Sequence, residues 1–132
     1  MKSYPKYLSN SVWNAVNKTK LWFDKNAESY NKNIFLNSRI ESDNAKGCIY
    51  VFYRANGSVL YVGQTGKRLK YRALYSQNNF KNVKWWKMVK TLKFVNVENK
   101  ADRIILTALL TVELKPTNNH KTLSKDIHTM GL

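Results

Sequence analysis

The side chains of this chain best suited to act on another molecule are cations interleaved with aromatic rings. From position 81 the order is Lys81-Asn82-Val83-Lys84-Trp85-Trp86-Lys87. Such a stretch can track a phosphate backbone through its lysines and stack its rings on unpaired bases. The simpler use of the Trp pair is to fill a core. Lys81, Lys84 and Lys87 are expected phosphate contacts in either case. Other candidate chemistry fails on spacing. His120 and His128 have no Cys or acidic partner at zinc-site spacing, so no zinc site is expected. Thr65-Gly66-Lys67 lacks the upstream Gly of a phosphate loop. Cys48 is the only cysteine, which excludes an internal disulfide and suits a reducing cytoplasm. It reads as an inert strand residue.

Charge narrows the partner. Lys plus Arg number 23 against 8 Asp plus Glu, a formal net charge of +15. Each phosphate neutralised by such a surface releases condensed counterions, so a nucleic acid is the expected polyanion. No segment reads as a strongly amphipathic basic helix, and no apolar run could span a bilayer, so no membrane partner is expected. Met1-Lys2-Ser3-Tyr4-Pro5 lacks the apolar stretch of a signal peptide. At 132 residues, with 43% hydrophobic and 13% aromatic side chains, the chain should form one folded domain.

The elements that must position these groups follow from periodicity. Ser9-Asn10-Ser11 offers helix N-cap chemistry, and Val12, Trp13, Val16 and Phe23 recur at near-helical spacing, which predicts a helix over 11–24. Residues 31–44 are polar and Asn-rich around Ile34-Phe35-Leu36, a turn, a short element and a linker. Ile49-Tyr50-Val51-Phe52-Tyr53 has strand chemistry, Asn56-Gly57 is a favoured hairpin turn, and Ser58 to Val62 is the return strand, ended by Gly63. A tight loop over 63–66 precedes a helix over 67–77. A third strand is expected over 92–97. A helix capped by Asp102 should run to Leu114 and stop at Pro116. A further short helix is expected in the tail near Leu123 to His128. The expected fold is α/β, a small three-stranded, mainly antiparallel sheet flanked by helices, with residues 1–46 as an N-terminal helical extension, 47–119 as the domain proper and 120–132 as a tail.

The order strand, turn, strand, Gly loop, basic helix, strand, helix, Pro-x-x-Asn resembles the GIY-YIG nucleases. Their two strand tripeptides correspond to Cys48-Ile49-Tyr50 and Tyr61-Val62-Gly63, and their closing motif to Pro116-Thr117-Asn118-Asn119. Cys replaces the first Gly and Val replaces Ile. The likeness covers residues 47–119. It implies a divalent-metal-dependent DNA endonuclease that hydrolyses phosphodiester bonds. Tyr50 would serve as base or water-orienting group, Tyr61 would support phosphate or nucleophile, and Arg72 would fork onto phosphate oxygens. Gly63, Lys67, Arg68, Lys70 and Asn119 join the three lysines as expected DNA contacts. The partner implied is DNA, double-stranded, and one Mg²⁺ or Mn²⁺ ion in the active form, in the cytoplasm of a bacterial or phage-infected cell.

The resemblance also requires a metal-binding Glu on the last helix, eight or nine residues before Pro116. Those positions are Ala108 and Thr107. Arg103, Thr107 and Thr111 form a polar row, expected to face solvent, while Ala101, Ile105, Ala108 and Val112 form an apolar row expected to face inward. On that argument Ala108 marks the missing acid, replaced deliberately or lost naturally. The nine-residue spacing, commoner in the family, favours Thr107. The implied enzyme is therefore inactive as written, with Ala108→Glu expected to restore cutting. The alternative is a non-catalytic basic nucleic-acid-binding module, and a third reading is a small RNA-binding protein.

Overall fold

The computed structural model describes residues 9–118. In chain order the elements are α1 (Asn10–Asn26), β1 (Glu28–Asn31), α2 (Lys32–Asn37), β2 (Cys48–Tyr53), β3 (Val59–Thr65), α3 (Leu69–Leu74), a 3-10 turn (Lys84–Met88), β4 (Thr91–Asn96) and α4 (Lys100–Leu114). The class is α/β with one antiparallel sheet of order β1-β4-β2-β3. The expected tail helix near Leu123 to His128 lies outside the described residues.

The sheet is built around β2, whose neighbours are β3 on one side and β4 on the other. Side chains alternate along a strand, so β2 feeds two cores. Cys48, Tyr50 and Phe52 point into one with Leu60, Tyr61, Phe80, Trp86, Leu92 and Phe94. Ile49 and Val51 point into the other with Phe23, Val62 and Leu110. The hairpin between β2 and β3 turns at Gly57, whose φ of 86° is the left-handed conformation that glycine adopts without penalty. Asn56 Oδ1 accepts from Ser58 N at 2.9 Å and fixes the turn.

Residues 1–46 were expected to form a helical extension beside a three-stranded sheet. The structure corrects both points. Residues 28–31 are a fourth strand, pairing Glu28 with Phe94 and Asn31 with Thr91. Phe23 and Phe35 are fully buried, one in each core. A segment that supplies a strand and two core rings belongs to the fold rather than lying against it. The Asn-rich composition hid this because Asn31 is spent on capping: its side chain accepts from Asn33 N at 2.9 Å and Ile34 N at 3.3 Å, opening α2. Lys32 then reaches across the fold, donating to Trp86 O at 2.9 Å, and burial lowers its pKa.

The helix expected over 67–77 is shorter, and its cap comes from far away in sequence. Asp43 is 5% exposed, and its two carboxylate oxygens accept from Leu69 N and Lys70 N. Arg68 Nη1 closes the junction by donating to Asp43 O at 2.8 Å. At α4 the cap is Asn99 rather than the expected Asp102: its side chain accepts from Asp102 N at 2.9 Å. Lys115, at φ 49°, ends α4 just before Pro116.

Asp43→Ala strips the acceptor from two buried helix-end amides. It is expected to lower unfolding free energy by about 2 kcal/mol in urea melts, with Asp43→Asn losing less because one acceptor survives. Equal stability of Asp43→Ala and the unaltered chain would refute the capping role.

Candidate nucleic-acid interface

The end of β3 and the start of α3 gather the residues expected to do chemistry. Tyr50 and Tyr61 project from the same sheet face, with ring centroids 6.1 Å apart and planes 23° from parallel. They share that face because Tyr50 pairs with Gly63 and Phe52 with Tyr61 across the β2–β3 ladder. Gly63 is required by contact: a Cβ there would stand 2.6 Å from the Tyr50 hydroxyl and 2.8 Å from Tyr61 Cε2. The phenol of Tyr50 therefore lies directly against the backbone at Gly63.

Arg72 joins this group through Phe80. Its guanidinium carbon is 4.2 Å from the Phe80 ring centre, and that ring is 5.4 Å from Tyr61 and 6.3 Å from Tyr50. Arg72 Nη1 donates to Asn78 O, which holds the guanidinium in place. A cleft of about 390 Å³ opens here, lined by Thr65, Lys67, Tyr71, Arg72 and Ser76 among others. A second, of about 450 Å³, is lined by Gly66, Lys67, Arg68 and Tyr71 with Ala45. Sequence reasoning passed over Tyr71 and Tyr75, which are 42% and 64% exposed. Their spacing of four, one on α3 and one at its C-cap, between lysines, was the available signal.

The two tyrosines are 1% and 6% exposed, enclosed by Phe80, Trp85 and Trp86. Trp85 stacks on Tyr61 at 5.1 Å, and Trp86 is buried against Phe52 at 5.4 Å. The Trp pair thus fills the core, while Lys81, Lys84 and Lys87 stay exposed around it. Two of the expected contacts have structural duties. Lys70 Nζ donates to Ser38 O at 2.6 Å, and Arg68 to Asp43 O. Lys67 remains exposed, its ammonium 5.0 Å from the centre of the Tyr71 ring. Asn119 lies outside the described residues. Its neighbour Asn118 ties the chain after α4 to the sheet, with backbone N and Nδ2 donating to Leu60 O at 3.1 and 3.2 Å.

The expected orientation of α4 is reversed. Arg103, Thr107 and Thr111 are 6%, 3% and 1% exposed, whereas Ile105 is 46% exposed and Ala101 faces solvent. Ala108 is half-buried. The polar row turns inward because its groups find partners there. Arg103 Nε donates to Gln64 Oε1 at 2.9 Å, and its Nη1 to Val97 O and Glu98 O at 3.0 and 2.7 Å. Thr111 Oγ1 donates to Thr107 O at 2.7 Å. Thr107, not Ala108, is therefore the inward position at the required spacing. Its Oγ1 is buried without a hydrogen-bond partner among the described residues. Arg103 meets β3 at Gln64 and Asn118 meets it at Leu60, so Thr107 lies along the stretch of β3 between them.

The structure does not place α4 on the tyrosine face. Leu110 packs with Ile49, Val51 and Val62 on the opposite side of the sheet. β3 is an edge strand, so the Tyr50–Gly63 contact lies at the margin of the sheet. The donor set does not fit a divalent metal. The inward row offers one guanidinium and two neutral hydroxyls, whereas Mg²⁺ takes oxygen ligands that include carboxylate. Among the described residues no three His, Cys, Asp or Glu side chains form a metal-holding group.

Acids are absent from residues 44–97, a span that carries eleven Lys or Arg side chains and all of β2, β3, α3 and β4. No helix among the described residues is long and apolar enough to cross a membrane. No protein-family model, curated protein or solved structure matches this chain.

Two measurements test the local chemistry. Thr107→Val removes a stranded hydroxyl and should stabilise the protein by about 1 kcal/mol, whereas Thr111→Val loses a made bond and should cost about the same. Denaturant melts that rank the two variants the other way would contradict the burial pattern of α4. Burial, with Asp43 nearby, pushes the Cys48 thiol up to about 12. At pH 8 it should resist a thiol reagent in the native protein and react as a single thiol after denaturation; fast native labelling would show that the strand is open.

Proposed function

We propose that this chain is a DNA-binding domain on the framework of a GIY-YIG endonuclease, in a form that lacks the acid needed to cut. One observation carries the reading: Lys67 and Arg72 share one cleft at the end of β3, beside the stacked Tyr50–Tyr61 pair. The strand order β4-β2-β3, the placement of both tyrosines on one face and the contact that excludes a side chain at Gly63 support the framework.

A phosphate entering the cleft meets the Lys67 ammonium and the Arg72 N–H groups not used on Asn78. Arg72 can present two donors to a phosphate, which a lysine cannot. Stacking on Phe80 fixes the plane of that fork before the ligand arrives. The exposed lysines at 81, 84 and 87 extend the field along the same acid-free stretch. Cutting would require an anionic ligand set that α4 does not supply, so the chain as written binds without hydrolysing.

Plasmid cleavage in Mg²⁺ tests the framework, with binding followed separately by gel shift. The unaltered chain should bind and leave the plasmid intact. Thr107→Glu should nick or linearise it, and Thr107→Gln, similar in size and uncharged, should not. Cutting by Ala108→Glu alone would overturn the orientation argument. Arg72→Ala and Lys67→Ala should each reduce the slope of log K against log salt by about one. Failure of the unaltered chain to bind any DNA at low salt would remove the proposal altogether.

A further inference from the structure

Tyr71 and Tyr75 are the two aromatic members of the large exposed apolar side chains among the described residues, and they are neighbours. Their ring centres are 6.3 Å apart, tilted by 45°. Cations border both: Lys67 Nζ lies 5.0 Å from the Tyr71 ring centre and Lys81 Nζ lies 5.9 Å from that of Tyr75. Tyr71 and Lys67 line both clefts, so this ring stands as the wall between two openings of about 390 and 450 Å³. The acid packed against α3, Asp43, is buried and committed to its amides.

We infer that Tyr71 and Tyr75, with Lys67, Arg72 and Lys81, form a stacking platform for the unpaired bases of single-stranded DNA. The inference rests on the DNA-binding reading and adds the substrate class. A paired duplex keeps its base faces stacked inside and offers protein only phosphates and groove edges. Two exposed rings, each with a cation over one face, match the opposite display, a free base face beside a phosphate. Thr65 sits at the end of β3 in the same cleft as Arg72. A strand laid over the Tyr71 ring therefore delivers its next phosphate to the Arg72 fork. The platform fits DNA with an exposed single-stranded segment better than a blunt duplex.

Fluorescence anisotropy with labelled oligothymidine and a labelled blunt duplex of equal length, at one fixed salt, tests this. The double variant Tyr71→Ala/Tyr75→Ala should lose about 10- to 100-fold in oligothymidine affinity. Its duplex affinity should stay within about threefold, since phosphate contacts remain. Tyr71→Phe/Tyr75→Phe keeps both ring faces and should bind oligothymidine as the unaltered chain does. Thermal melts check folding, and the Phe pair supplies the comparison if the Ala pair melts early. Equal losses on both ligands, or no loss on oligothymidine, overturn the platform. Duplex binding without oligothymidine binding overturns the platform and leaves the DNA-binding reading standing. Absence of binding to either ligand overturns both.

Discussion

The burial of β2 on both faces is the constraint from which the rest follows. A strand with water on one side can alternate polar and apolar residues, but Cys48 to Phe52 are buried without a break. Each face must then be covered by a separate layer. The aromatic face is closed by Phe35, Phe80 and the 3-10 turn bearing Trp85 and Trp86; the aliphatic face is closed by α1 and α4. Tyr50 and Tyr61 take their positions from this arrangement. Their rings are part of a packed aromatic stack first, and any chemistry at their hydroxyls depends on the edge of β3.

Polar groups inside the fold are spent where backbone groups would otherwise be stranded. Asp43 spans 26 residues to satisfy the first amides of α3, and Arg103 satisfies two carbonyls beyond β4 together with Gln64. Thr107 is the exception, a buried hydroxyl with no partner among the described residues at a position where the resemblance expects an acid. A stranded polar atom in a packed region costs free energy, which the partnered hydroxyl of Thr111 one turn on avoids.

Charge is organised by the same economy. With no acid between 44 and 97, the cations of that span have few partners of opposite sign, and several rest on aromatic rings or backbone carbonyls instead. Lys93 over Tyr53 and Lys32 over Trp86 follow the same habit. A cation held on a ring face keeps its full charge and stays available to a phosphate, which an ion-paired lysine does not.

The amino-acid sequence by itself determined the α/β class, the β2–β3 hairpin at Asn56-Gly57, the helices near 11–24 and before Pro116, and a field that favours polyanions. These are local or additive properties: alternation, turn chemistry and a sum of charges. Only the tertiary structure decided that residues 28–31 complete the sheet, that Asp43 caps α3, that Tyr71 and Tyr75 are left outside the core and that the polar row of α4 faces inward. The last point carries the physical reason for all of them. Whether a polar side chain can be buried depends on partners outside its own helix, here Gln64, Val97 and Glu98 around Arg103, and helical periodicity contains no information about partners.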